Sequence, residues 1–282
     1  MTLLAPSRLG AAGQLAVLAR LTDRDRLLCR LLDDHGVLTT EQIIDLAFPS
    51  RSAAQHRLVA LVRLDVLARF RPFLPTGSAP FHYVLGTTGA VLAAAEAGRK
   101  PPRPADVRAR NLALATNPRL GHLLGVNGFF AALAAVARRA PDAALETWWS
   151  ERRCAAEWGE FVRPDGFGAW REGGHRVEFF AEYDTGTEPL RRLAAKLPGY
   201  ADLAVAEGRA VPVLFRFGSA RRERQARRLL WHPEVPVATS SADTLDGPDG
   251  AAWLPVGEDG PRRRLVDLAS TAVHRDSWEA LR

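Results

Sequence analysis

Glu178, Glu182 and Asp184 stand at alternate positions of the stretch EFFAEYD. Successive side chains of a strand point to opposite faces. Glu178, Phe180, Glu182 and Asp184 are therefore expected on one face, and Val177, Phe179, Ala181 and Tyr183 on the other, a core face. Asp165, in the stretch RPDG, precedes Glu182 by seventeen residues. A meander of three strands brings Asp165 beside Glu182 and Asp184. Clustered carboxylates raise one another's pKa values unless a cation lies among them. Hard oxygen donors of this kind suit Mg²⁺, which takes one or two carboxylates together with phosphates and water. Such an ion can activate water and stabilise charge during phosphodiester cleavage. Asp165, Glu182 and Asp184 are thus candidate metal ligands and catalytic carboxylates. Lys196, on the helix expected next, is a candidate catalytic cation. Glu178 is expected to pair with Arg176 or Arg191. Glu151, His122 and Asn127 are further polar groups that could complete the site.

The elements that must position these groups read as follows. ALETWWSERR, FVRPDGFGAW and HRVEFFAEYD have strand composition. A helix over about residues 119–138 precedes them. TEPLRRLAAKLPGYADLAV reads as one helix capped by Thr187, with Glu188 and Pro189 in its first turn. AVPVLFRFG is a wholly apolar strand of the buried kind. SARRERQARRLLW is a helix on which Arg221, Arg224 and Arg228 share a face, and VPVATS is another strand. The order is α-β-β-β-α-β-α-β over residues 119–240. Residues 241–282 form a loop-rich C-terminal extension, with Trp253–Pro255 expected to fold back as a lid or edge.

Upstream, residues 1–20 are expected to be a flexible N-terminus. Residues 21–96 contain a helix capped by Thr22 and ended by Gly36, and a second short helix in TTEQIIDLAF. A third helix starts at Ser50 or Ser52. A hairpin turning at Thr76–Ser78 follows, then a helix from Thr88. This is the order of a winged helix-turn-helix, whose third helix enters the DNA major groove while the hairpin meets the backbone. The candidate DNA contacts are Arg51, Gln55, His56, Arg57 and Arg63 on the third helix, with Arg69 and Arg71 on the wing. Residues 97–118, rich in Pro and Arg, read as a linker.

Composition sets the outer limits. The chain has 282 residues, a net charge of +6 and a pI near 10.1. A basic balance favours a polyanionic partner, above all nucleic acid. Cys29 and Cys154 are the only cysteines and form no CxxC pair, which argues against a zinc or disulfide scaffold and fits a reducing cytoplasm. No secretory leader is expected, and no run approaches about 20 uninterrupted apolar residues, so no membrane span is expected. There is no phosphate-binding Gly-Lys-Ser/Thr loop and no GxSxG elbow. The seven histidines show no metal-ligand spacing.

Two resemblances follow from these segments. The αβββαβ order with Pro164-Asp165 and Glu182-Tyr183-Asp184 resembles the PD-(D/E)XK nuclease superfamily, over about residues 119–240. That pattern places a lysine where this chain has Asp184; some members carry it on the following helix, where Lys196 stands. The chain is also similar to the bacterial replication-relaxation family, over about residues 20–270. The carriers are LTDRDRLLCRLLDDHGVLTTEQI, GHLLGVNGFF and, most specifically, RPDG with FFAEYDTGTE and KLPGY. The implied fold is α/β (α+β), an N-terminal winged helix-turn-helix followed by a restriction-endonuclease-like domain. The implied role is a DNA-binding accessory protein of plasmid or mobile-element replication, or of DNA relaxation in conjugation. Two alternatives stay open: a Mg²⁺-dependent endonuclease, and a winged-helix regulator or scaffold docking replication or conjugation proteins. The histidine triad beside a tyrosine that marks conjugative relaxases is absent.

Overall fold

The computed structural model describes residues 11–72, 77 and 79–270. Of the expected turn at Thr76–Ser78 only Gly77 is among the described residues, and the ends of the chain lie outside them. The chain divides into two units, Met1–Ala131 and Ala132–Arg282.

The first unit begins with α1 (Ala11–Leu18) and α2 (Asp23–His35). Thr22 caps α2 in a reciprocal box with Asp25, which satisfies two backbone donors that the helix start leaves open. Gly36 ends it at φ 78°, a conformation that favours glycine. The short β1 (Leu38–Thr39) leads into α3 (Thr40–Ala47), capped by a second box between Thr39 and Gln42. Ser50 caps α4 (Arg51–Arg63). The strands β2 (Leu67–Phe70) and β3 (His82–Leu85) follow, then α5 (Thr87–Glu96). The sheet is antiparallel in the order β1-β3-β2.

Residues 97–118 are not an extended linker. They contain α6 (Pro104–Ala115), in which Pro104 occupies the first turn, where its missing N–H costs nothing. Val107 and Asn111 are buried, and the Asn111 amide donates to the Leu85 carbonyl. Then comes α7 (Leu120–Ala137), 18 residues with a mean hydropathy of 1.7. By length and composition alone α7 could cross a bilayer, although the sequence holds no unbroken apolar run of about 20 residues. Its contacts are those of a packed helix: Asn127 donates to the carbonyls of His35 and Val37, and Gln42 donates to that of Leu124.

The second unit is built on a six-stranded sheet in the order β4-β5-β6-β7-β8-β9. β4 (Ala143–Ser150), β5 (Gly166–Glu172) and β6 (His175–Asp184) form an antiparallel meander, while β7 (Val213–Phe217) and β8 (Val237–Ser241) run parallel to β6. The expected strand in ALETWWSERR stops at Ser150. Glu151–Trp158 turn instead into α8, whose Cys154 and Trp158 are buried. The expected single helix after β6 is two: α9 (Leu190–Ala194), which starts after Pro189 without the Thr187 cap, and α10 (Leu197–Glu207). α11 (Ala220–Arg227) lies between β7 and β8. The core packs Trp158, Phe167, Phe180, Leu197, Phe215 and Phe217, with Trp158 edge-on to Phe180.

The C-terminal extension is part of this sheet. β9 (Leu254–Pro255) pairs with β8 as its edge, Trp253 is fully buried, and a short 3-10 turn follows at Leu265–Ser270. Arg262 grips both oxygens of the buried Glu223, at 2.9 and 2.8 Å, and donates to the carbonyls of Thr239 and Ala252.

Close backbone approach decides Gly89 in the first unit. A Cβ on Gly89 would meet the Val66 carbonyl oxygen at 2.1 Å, whereas one on Gly121 would meet nothing within 4 Å. Gly89→Ala is expected to cost about 2 kcal/mol or more, as overpacking against backbone does. Gly121→Ala, in a helix, is expected to be neutral or to stabilise by up to about 1 kcal/mol. Urea unfolding of the two variants checks the contrast.

Candidate functional site

The register of β5 on β6 explains how the acidic groups meet. Gly166 pairs with Ala181, so Asp165, just before β5, stands level with Glu182. Asp165 is 5% exposed and Glu182 is 2% exposed. Asp165 Oδ2 accepts the Tyr183 amide at 2.9 Å. The carboxylate face of β6 is thus not a solvated face. Phe180 and Glu182 both point into the packed side of the sheet, because α10 covers it.

Two groups from α10 and its cap reach Glu182. Lys196 Nζ donates to Glu182 Oε2 at 2.5 Å and lies 3.7 Å from Asp165 Oδ1. The Tyr200 hydroxyl donates to Glu182 Oε1 at 2.6 Å. The stretch Lys196-Leu-Pro-Gly-Tyr200 sets this up residue by residue. Lys196 occupies the N-cap position, Leu197 is buried, and Pro198 sits in the first turn. Gly199 lets α10 lie against the loop after α8, since a Cβ there would come 2.4 Å from the Phe161 carbonyl oxygen.

The electrostatics follow from burial. Desolvation, then the neighbouring Asp165, pushes Glu182 up to about 8, while Lys196 and Tyr200 pull it back. Burial alone would lower Lys196, but Glu182 and Asp165 outweigh it and hold the ammonium above its usual range. Burial and the adjacent Glu182 push the Tyr200 phenol well above its ordinary value. The cluster is therefore two carboxyls bridged by one retained cation, with a neutral phenol as the second donor.

Asp184 does not join them as a third ligand. Both its oxygens are engaged by Arg222, Nε at 2.7 Å and Nη2 at 3.2 Å, and Arg222 also donates to the Glu188 carbonyl. Among the described residues no group of three His, Cys, Asp or Glu side chains is placed to hold a metal ion. Asp165 and Glu182 are oxygen donors of the type a divalent cation takes, and the Lys196 ammonium stands between them. One oxygen of each turns to the same ammonium, and two carboxylates completed by water and phosphate are what Mg²⁺ takes. Glu178 pairs with Arg176, as expected, and also with Arg209. Asn127 is spent on the His35 and Val37 carbonyls and is no part of this cluster. Glu151 begins α8.

The expected DNA contacts divide. Arg51, Gln55, His56 and Arg63 are exposed on α4. Arg51 also meets Glu41 at 2.6 Å, an exposed pair worth less than about 1 kcal/mol and easily given up. Arg57 is taken: its guanidinium clasps the fully buried Asp25 of α2 through two hydrogen bonds. Burial would raise the Asp25 carboxyl, but Arg57 and Thr22 outweigh it and hold it low. On the hairpin, Arg69 and Arg71 lie over the Phe81 ring, at 4.0 and 3.9 Å from its centre. Tyr200, one helical turn on from Lys196 and expected from the sequence to serve packing, instead gives its hydroxyl to Glu182.

These observations define an α+β protein of two units. A three-stranded sheet with helices forms the first, and a mixed six-stranded sheet carrying a buried Asp-Lys-Glu-Tyr cluster forms the second. The chain belongs to the replication-relaxation family, whose model matches residues 29–214, from within α2 to the start of β7. That membership ties it to the replication and relaxation of mobile elements. No curated protein and no solved structure matches it.

Two outcomes check the site. Glu182 has a folded pKa near 8 against 4.5 for an ordinary glutamate. Its contribution to stability is complete below about pH 4.5 and is lost as pH rises through 8. Glu182→Gln should remove that decline, read as the difference in unfolding free energy between variant and parent across pH 5–9. Arg57→Met should destabilise by about 2–3 kcal/mol, because it leaves Asp25 buried and unpaired. Thermal unfolding of that variant reads the loss.

Proposed function

We propose that this chain is a DNA-binding protein acting in replication or relaxation of a plasmid or other mobile element in the bacterial cytoplasm. We further propose that Asp165, Glu182 and Lys196 form a phosphodiester-cleaving centre of the PD-(D/E)XK kind. The observation that carries the second proposal is the approach of Lys196 Nζ to Glu182, at 2.5 Å, and to Asp165, at 3.7 Å. A lysine carried on the following helix thereby reaches the place that the Glu-x-Lys pattern serves from the strand. The strand order, an antiparallel meander continued by a parallel strand, supports the same reading.

Asp165 and Glu182 are the residues that would hold Mg²⁺. A bound ion would supply charge neutralisation at the phosphate and a more acidic water. Lys196 orients the attacking water and steadies the developing charge, and Tyr200 fixes Glu182 so that its Oε2 faces the lysine. Asp184 serves the scaffold through Arg222.

The succession α2–β1–α3–α4–β2–β3 supports a winged helix-turn-helix reading of the first unit. On that reading α4 lies in the major groove of duplex DNA, with Arg51, Gln55, His56 and Arg63 toward the bases and phosphates. Arg69 and Arg71 meet the backbone from the wing.

A second reading rests on the burial of Asp165 and Glu182. A closed acidic pair neutralised by its own lysine also suits a non-catalytic accessory protein that only binds DNA. Supercoiled plasmid incubated with the protein in Mg²⁺ or Mn²⁺, against EDTA, separates the two. Metal-dependent nicking is expected, with a loss of about 10²-fold or more in Asp165→Ala and in Lys196→Met. An intact plasmid that shifts on a gel in a salt-sensitive way would establish the accessory reading instead. No shift at all would leave a scaffold that docks replication or conjugation proteins.

A further inference from the structure

α11 carries more arginine than its packing uses. Arg222 is spent on Asp184 and the Glu188 carbonyl. Arg227 is spent on Thr239 and on the carbonyls of Leu254, Pro255 and Glu258. Arg221, Arg224 and Arg228 are exposed and have no partner among the described residues. Positions three and four apart fall on one side of a helix, so these three guanidinium groups form a row over about 10 Å. Arg222 fixes where that row begins, because it binds the end of β6 two residues beyond Glu182. The carboxyl ends of the parallel strands β6, β7 and β8 lie at the start of this row, and α11 carries it back along the sheet toward their amino ends.

The row ends at an aromatic ring. Leu230 is fully buried and anchors the turn after α11, yet the next residue, Trp231, is 64% exposed. The Trp231 ring is seated: a Cβ on Gly257 would stand 3.8 Å from its Cδ1. It borders a cavity of about 440 Å³, walled by Pro212, Val256 and Leu268 and rimmed by His232 and Arg263. A seated, exposed indole beside a cavity that can admit a planar ring, approached by a row of free cations, suits one ligand class. Single-stranded nucleic acid presents phosphates along its backbone and bases free to stack, and proteins hold it with cations and aromatic platforms. A duplex keeps its bases stacked inside and would leave Trp231 unused.

We propose that α11 and Trp231 form a track for single-stranded DNA. Arg221, Arg224 and Arg228 hold successive phosphates, and Trp231 stacks one base at the cavity mouth. The track extends the DNA-handling reading above and does not depend on cleavage at Asp165 and Glu182. A relaxing or replicating duplex exposes the strand it would take.

Fluorescence anisotropy of a labelled oligothymidylate, in EDTA and over a series of salt concentrations, tests this with the full chain. The parent is expected to bind with a steep salt dependence. The triple variant Arg221→Gln, Arg224→Gln, Arg228→Gln should flatten the log–log slope by about 2, since each single-strand phosphate contact contributes about 0.7. Trp231→Ala should weaken binding about tenfold at every salt concentration and leave the slope unchanged. Failure of the parent to bind the oligomer, or parental slope and affinity in both variants, would overturn the track. So would a Trp231→Ala variant that keeps its oligomer affinity but changes sedimentation, which would mark the face as a contact between copies. Duplex gel shifts and plasmid nicking on the same preparations report the first-unit and Asp165 readings separately, so either can fail while the track stands.

Discussion

Glu182 lies in the interior of an apolar sheet face, and the second unit is arranged around that fact. A carboxylate removed from water is expensive unless a cation and hydrogen-bond donors replace the solvent. Here the replacement is supplied from one place, the cap and first turn of α10, which delivers an ammonium to one oxygen and a phenol to the other. That requirement fixes the depth at which α10 docks. It accounts for a glycine at 199, where the helix touches the Phe161 carbonyl, and for a break between α9 and α10 at the lysine itself. The neighbouring Asp184 is handled by the same rule from another helix, through the two-pronged grip of Arg222.

The same balance governs the first unit on a smaller scale. Asp25 is fully buried, caps its own helix through Thr22, and holds Arg57 of α4. The orientation of α4 against α2 is thereby tied to an internal ion pair, and its outer residues are left to face solvent. Of the five side chains of α4 expected to contact DNA, Arg57 is thus a positioning residue for the other four.

Much of this was legible in the sequence because it depends on local chemistry. Thr22 with Asp25 marked one helix start, and Gly36 marked its end. The pairing of Glu178 with Arg176 followed from strand alternation, and the meeting of Asp165 with Glu182 from a meander. What escaped depends on tertiary context. Trp148, Trp149 and the residues after them look like continuous strand, yet α8 begins at Glu151 because Cys154 and Trp158 are needed under the sheet. Pro104 looks like a linker residue but opens α6, whose Asn111 is bound to a distant carbonyl. Asp165, Glu182 and Asp184 looked equivalent as candidate ligands. Only the fold shows that Arg222 claims Asp184 and that Lys196 turns to the other two.

Arg262 also decides when the second unit can finish folding. Its guanidinium is the counter-charge of Glu223, which lies thirty-nine residues earlier beneath β8, and the edge strand β9 is carried on the same late segment. During synthesis the chain emerges in order, so α11 and β8 are made while their neutralising partner and their outer strand are still unavailable. Non-local contacts of this kind slow folding and leave sheet edges open in the meantime. The first unit has its whole complement of partners much sooner. A nascent chain of this protein therefore exposes a finished N-terminal unit while the remainder waits for its last strand, so the two units mature in sequence rather than together.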